Sequence, residues 1–288
     1  MMTTAKLLSR WQSAGLVALG AFCFSTAIIL TRFSRGLEAP AIVFYRMLFS
    51  FLFLSALLSR QRDEPYLPAS RRTTLLLVFM GVCMALVAMM YIFSIQQINA
   101  GTAALLVNTT PIYMALLAPL LLKEPRPRYT LPSLLLAVPG IVLLADPAHL
   151  QVDPGALGGV AAGLCAGVGF SLPLIIGRKL RGQVNMARQI WWGSGVAALV
   201  LSPMGLRALP QAIPNLPVLI PFGVLSFGLP YLLYFTGLKT LPAQVVSILA
   251  LLEPVGGILI GLVLGEPLTL PGVIGSVLIL AGIVVIAQ

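Results

Sequence analysis

Ten apolar runs, each near the length of a bilayer crossing, follow one another with only short connections between them. They cover roughly 13–31, 38–59, 73–94, 99–122, 129–145, 155–177, 186–204, 215–238, 241–264 and 269–287, and about 20 mainly apolar residues make one helical span. Charged residues are 9% of the 288 and apolar ones 59%, against about 25% charged in soluble domains. A soluble chain of this size has no interior large enough to hide that much apolar surface. Lipid must be the solvent, and the sequence predicts an all-α polytopic membrane protein. The first run, after Lys6 and Arg10, has no polar cleavage region behind it and reads as a retained span.

The net charge of +10 follows membrane topology. With the N-terminus in the cytoplasm, fourteen Lys and Arg fall in inner segments, including the Arg71–Arg72, Lys123–Arg128 and Arg178–Arg181 clusters. The outer connections hold three, Arg32, Arg35 and Arg207, while Arg46 lies inside the second span. By the positive-inside rule both termini are expected in the cytoplasm. Basic clusters scattered between spans form no nucleic-acid-binding face. Cys23, Cys83 and Cys165 are odd in number and sit in apolar segments, so no disulfide framework is expected. With His149 as the only histidine, no Cys pair at metal spacing and no Gly-Lys-Ser motif, neither a metal site, a cofactor nor ATP hydrolysis is expected. The loop acids Asp63, Glu64, Asp146 and Asp153 are isolated, too sparse for a lipid-processing enzyme.

The chain also repeats itself. "TPIYMALLAPLLLKEPRP" (Thr110–Pro127) is echoed by "EPVGGILIGLVLGEPLT" (Glu253–Thr269), and each copy leads to a last run ending in "GIVLLA" or "GIVVIA". Pro111 pairs with Pro254, Tyr91 with Tyr234 and Glu124 with Glu266, at an offset of 143 or 142 residues. Five spans per half is an odd number, so the second copy enters the membrane upside down. The sequence therefore divides into a first repeat, 1–147, and a second, inverted one, 148–288, within a single membrane domain. Inverted repeats are an architecture of alternating-access transporters.

A proline near the start of spans four and nine, a long apolar run, then Lys-Glu-Pro or Gly-Glu-Pro and a helix ending in Gly-Ile-Val resembles the EamA-type drug/metabolite transporter superfamily. The arginine-bearing "FYRMLFSFLFL" of span two is similar to that family's second helix. The resemblance covers essentially the whole chain, and within the superfamily it is strongest to the YddG-like aromatic amino acid exporters of bacterial inner membranes. It implies ten helices, a central cavity between the halves, and export of small amphipathic metabolites such as aromatic amino acids. The implied partners are that small-molecule substrate and membrane lipids. A lipid- or sugar-carrier flippase and a multidrug exporter share the fold and stay open as alternatives. One departure is Thr110, where the second repeat has Glu253.

Glu253 and Arg46 are the charges well inside the spans. A carboxylate at that depth must find a cation or a donor, or hold a proton. Glu253 thus either faces the cavity, meeting a substrate ammonium or a coupling proton, or is a structural acid paired with Arg46. Arg46 either captures a substrate carboxylate, bonds carbonyls, or snorkels outward. Pro111 and Pro254 mark equivalent helix breaks, which are either a binding region or simple kinks. Beside them, Asn108, Thr109 and Thr110 in one half, and Gln244 and Ser247 in the other, are expected to point inward. Tyr91, Phe170, Tyr231 and Tyr234 are candidate cavity walls, while Trp191 and Trp192 suit an interfacial belt. Gly159, Gly163 and Gly167, and Gly257, Gly261 and Gly265, recur every four residues and predict close helix packing.

Overall fold

Backbone amides buried in hydrocarbon must find partners within their own segment, and the described residues are helical almost throughout. The computed structural model describes residues 9–60, 70–98, 100–144, 157–263 and 269–287. His149, Gly265, Glu266, the loop acids and the 147/148 repeat boundary lie outside them.

The first half contains α1 (Arg10–Phe33), α2 (Ala39–Leu58), α3 (Arg71–Gln97), α4 (Ala100–Val107), α5 (Thr110–Leu122) and α6 (Thr130–Leu144). The second contains α7 (Leu157–Lys179), α8 (Met186–Arg207), α9 (Leu209–Ala212), α10 (Leu216–Gly223), α11 (Leu229–Gly237), α12 (Ala243–Leu249), α13 (Leu252–Val263) and α14 (Leu270–Ala287). α4 and α5 share one crossing, α9 to α11 another and α12 with α13 a third, giving ten crossings among the described residues. Seven are long and apolar enough to span by composition alone, and α6 and α14 are shorter apolar helices. The remaining crossing, α8, carries Arg188, Gln189 and two tryptophans near its start.

Helix ends are closed locally. Ser9 and Gln12 form a reciprocal capping box on α1, and the Asn185 side chain accepts from Ala187 N at 3.0 Å to start α8. Large apolar side chains such as Leu120, Leu135, Leu199 and Leu270 are at least 72% exposed, as expected of surfaces that meet acyl chains.

The packing obeys a two-fold exchange of the halves. α1 packs on α11 and α13, as α7 packs on α3 and on α4 with α5, while α2 pairs with α8 and α6 with α14. The α6–α14 seam gives the direction. Ser133 donates to the Gly282 carbonyl at 2.7 Å, and a Cβ on Gly140 would stand 2.7 Å from the Gly275 carbonyl. The helices are therefore antiparallel. Ser133 and Gly275 are 142 residues apart, as are Gly140 and Gly282, so each contact is the image of the other. The two halves form an inverted pair of five-crossing repeats.

The glycine stripe of α7 does pack closely. Gly159 meets Gln97 and Ile98, Gly163 meets Leu106 and Ser94, and Gly167 meets the Leu106 carbonyl. In α13 Gly256 makes a close approach to the Ser25 hydroxyl.

Candidate functional site

Both helix breaks sit at the seam between the halves. The first interrupts a crossing at Asn108–Thr109, the second at Ala250–Leu251. In the sequence each break is marked by its proline, and in the structure each proline lies just after its break. Pro111 is the second residue of α5 and Pro254 the third of α13. In a first turn the amide has no partner within the helix, so proline costs little there. The prolines start helices instead of kinking them.

The same geometry accounts for Glu253. It is the second residue of α13, a 12-residue helix, where the positive end of the helix dipole favours a carboxylate by about 0.3–1 kcal/mol or more when partly buried. Its carbonyl accepts from the Ser25 hydroxyl at 2.7 Å. Its carboxylate makes no hydrogen bond or ion pair among the described residues, and it faces the central cavity. At the first break, the Thr110 hydroxyl donates to Gly167 at 2.9 Å and to Val107 at 2.7 Å.

Arg46 reaches the cavity from α2 and is only 4% exposed. It does not snorkel. One terminal nitrogen donates to the Ser226 carbonyl, in a π-helical turn, Val224–Gly228, that links α10 to α11. Four residues on is Pro230, which has no N–H to give that carbonyl. The guanidinium supplies the missing donor, and its charge rests 4.9 Å and 5.2 Å from the Phe222 and Phe227 ring centres. Its Nε has no partner. Arg46 and Glu253 line one cavity yet form no ion pair among the described residues.

Tyr91, Asn108, Thr110, Pro111, Phe170, Tyr231, Ser247, Glu253 and Arg46 all line this cavity. Thr109, Tyr234, Gln244 and Pro254 lie off the lining. Thr109 donates back to Leu106 and presses on Gly167. Tyr234 is 1% exposed, its ring filling the space beside Gly20. Gln244 accepts from Thr130 at 3.2 Å. Phe24, Met84 and Phe227 also line the cavity, and sequence reasoning did not single them out. Phe24, Phe170 and Tyr231 form a triangle of rings 5.3–6.3 Å apart, with Phe227 4.6 Å from Tyr231.

The Asn108 amide nitrogen donates to the Ala104 carbonyl at 2.7 Å, which leaves its oxygen without a partner among the described residues. The Tyr91 and Tyr231 hydroxyls likewise have none. The cavity therefore offers a carboxyl group, a buried guanidinium, uncommitted polar atoms and an aromatic wall. Its room is about 40 Å³, enough for a few waters and far below the ~300–1,000 Å³ of sites that hold a ligand. A larger recess of about 490 Å³ lies between α2 and α8, lined by Phe44, Phe51, Trp191, Trp192 and Leu199. It shares no lining residue with the central cavity and is almost wholly apolar. Trp191 there donates to Ser55 at 2.8 Å. The buried charged groups and uncommitted polar atoms named above line the central cavity and not this recess.

Residues 12–145 and 157–288 each match the profile of the EamA-like transporter family. The chain belongs to that family. As an EamA-like protein it is a multi-pass membrane transporter of small molecules, a secondary transporter, and not an enzyme. An uncharacterized transporter of Archaeoglobus fulgidus is 28% identical over 278 residues, 96% of each chain. The pseudopaline exporter CntI of Pseudomonas aeruginosa is 27% identical over 215 residues, 73% of each. A solved crystal structure superposes with a TM-score of 0.80 over 96% of both chains at 15% identity, which establishes likeness of fold. None of these relatives bears the YddG name.

Proposed function

We propose that this EamA-like transporter exports small zwitterionic metabolites, amino acids with aromatic side chains among them, through the cavity between its inverted halves. One observation carries the reading. The Glu253 carboxylate and the Arg46 Nε, both without a partner among the described residues, face one aromatic-lined cavity. A solute with an ammonium group meets Glu253, its carboxylate meets Arg46, Tyr91 or Asn108, and its side chain displaces the Phe24–Phe170–Tyr231 triangle. A buried charge is costly unless matched, so a zwitterion that matches both ends is favoured over an ion of either sign.

The broken helices supply the moving parts. Rocking at 108–109 and 250–251 exposes the cavity to one face and then the other, as inverted repeats permit. The excess of Lys and Arg in alternate connections supports cytoplasmic termini, and the inner membrane of a bacterial cell is the proposed location. A lipid-carrier flippase would need a cavity continuous with lipid, and the separate linings of the cavity and the lateral recess disfavour it.

Efflux of radiolabelled phenylalanine from loaded proteoliposomes tests the proposal. Release several-fold faster than from protein-free vesicles is expected. Release of no amino acid in a panel covering aromatic, aliphatic and charged side chains defeats it.

A further inference from the structure

We propose that Glu124 and Arg178 form the gate that closes the solute path on the basic face of the protein. Glu124 follows α5 in the first half, and Arg178 ends α7 in the second. The Arg178 Nε donates to one Glu124 oxygen, and its NH1 donates to the Leu238 carbonyl. Ala243 N, opening α12, donates to the other Glu124 oxygen at 3.4 Å. Arg181 extends the clasp to the Lys239 carbonyl at 2.7 Å. One carboxylate therefore ties the end of the first broken crossing to two crossings of the opposite half, one of them the second broken one, and Arg178 reaches a third. Its ends are only 13% and 20% exposed, shielded enough for charge-assisted hydrogen bonds to count.

A second observation points the same way. Lys123, just before Glu124, has φ of 56°, the one left-handed non-glycine backbone among the described residues. It caps the C-terminus of α5, where a left-handed residue is a common way to end a helix and turn the chain. The turn directs Glu124 back under α12. In the second repeat the matching residue is Gly265, and Arg35 and Glu266 match Arg178 and Glu124 at offsets of 143 and 142. By the odd span count those residues belong to the opposite face, so the duplicated sequence supplies each face with one acid and one arginine.

The account rests on the transporter fold and not on the substrate, and its test uses no substrate. Cys23, Cys83 and Cys165 are replaced by alanine, and a reporter cysteine is placed at Ala250 on the cavity wall. An impermeant maleimide is then applied from the basic face and, separately, from the opposite one. Glu124→Gln should raise labelling from the basic face by roughly tenfold without raising it from the other. In a parallel Glu124→Cys/Arg178→Cys protein, a short bis-methanethiosulfonate joins the two thiolates as disulfides with loss of methanesulfinate. It should bring labelling of the reporter back to the parent rate, and reduction should release it, while the single-cysteine reporter protein treated alike labels as before. Unchanged labelling in Glu124→Gln, a rise from both faces alike, or equal labelling of crosslinked and reduced protein would each overturn the gate.

Discussion

The Ser25 hydroxyl donates to the Glu253 carbonyl at 2.7 Å, joining α1 to the second helix break across 228 residues. Its inverted counterpart runs from Thr110, at the first break, to Gly167 on α7 at 2.9 Å. Both breaks are thus tied to the middle of the crossing that opens the opposite half, with donor and acceptor exchanged.

Removing either tie leaves a carbonyl short of a partner at low dielectric. Ser25→Ala and Thr110→Val should each cost about 1–2 kcal/mol, seen as a thermal midpoint in detergent lower by about 2–5 °C. Ser202→Ala, whose hydroxyl only bonds Leu199 in its own turn, should stay within ~0.5 kcal/mol.

Two adjacent glycines separate helix propensity from packing. A Cβ on Gly158 meets nothing within 4 Å, whereas on Gly159 it comes 2.7 Å from the Gln97 Cβ. Gly158→Ala should leave the thermal midpoint level or higher, since alanine favours a helix by up to ~1 kcal/mol. Gly159→Ala should lower it, at a cost of about 1–3 kcal/mol.

Arg46→Lys keeps the charge and loses the fork that serves Ser226 and the cavity together. Transport in proteoliposomes should drop by roughly tenfold, with expression and folding retained. Transport at the parent rate would assign Arg46 a purely electrostatic role.

Phe24→Leu removes one side of the aromatic triangle. The variant should accept bulkier side chains relative to phenylalanine, read as a several-fold change in their competition for efflux. It should also lose about 1–3 kcal/mol of stability through lost packing.

The membrane class, the ten crossings and the inversion were legible because each rests on long-range pattern: apolar length, charge alternation and an offset that recurs. The site was legible where polarity stood out, and where an aromatic lay beside a glycine or proline, as Phe170 beside Gly169 and Tyr231 beside Pro230 do. Asn108, Thr110, Ser247 and Glu253 are conspicuous against hydrocarbon, and all four face the cavity. Phe24, Met84 and Phe227 were not, since in a span apolar on every side an inward aromatic looks like an outward one. The π-helical turn before Pro230 was equally hidden, although the proline two residues after Gly228 was its one local signal. Repeat symmetry misled at Tyr234. Its partner Tyr91 reaches the cavity, but Tyr234 spends its ring on Gly20. The arginine ligand of Ser226 was among the options because a buried guanidinium must bond something.

On the proposed reading, Glu253 holds the ammonium group of the transported solute. Titration of purified protein with phenylalanine and with 3-phenylpropionate, which lacks the amine, tests it directly in wild type and in Glu253→Gln. The account predicts that wild type prefers the amino acid by about tenfold or more, and that in Glu253→Gln the two affinities converge. The same preference in both proteins would contradict it.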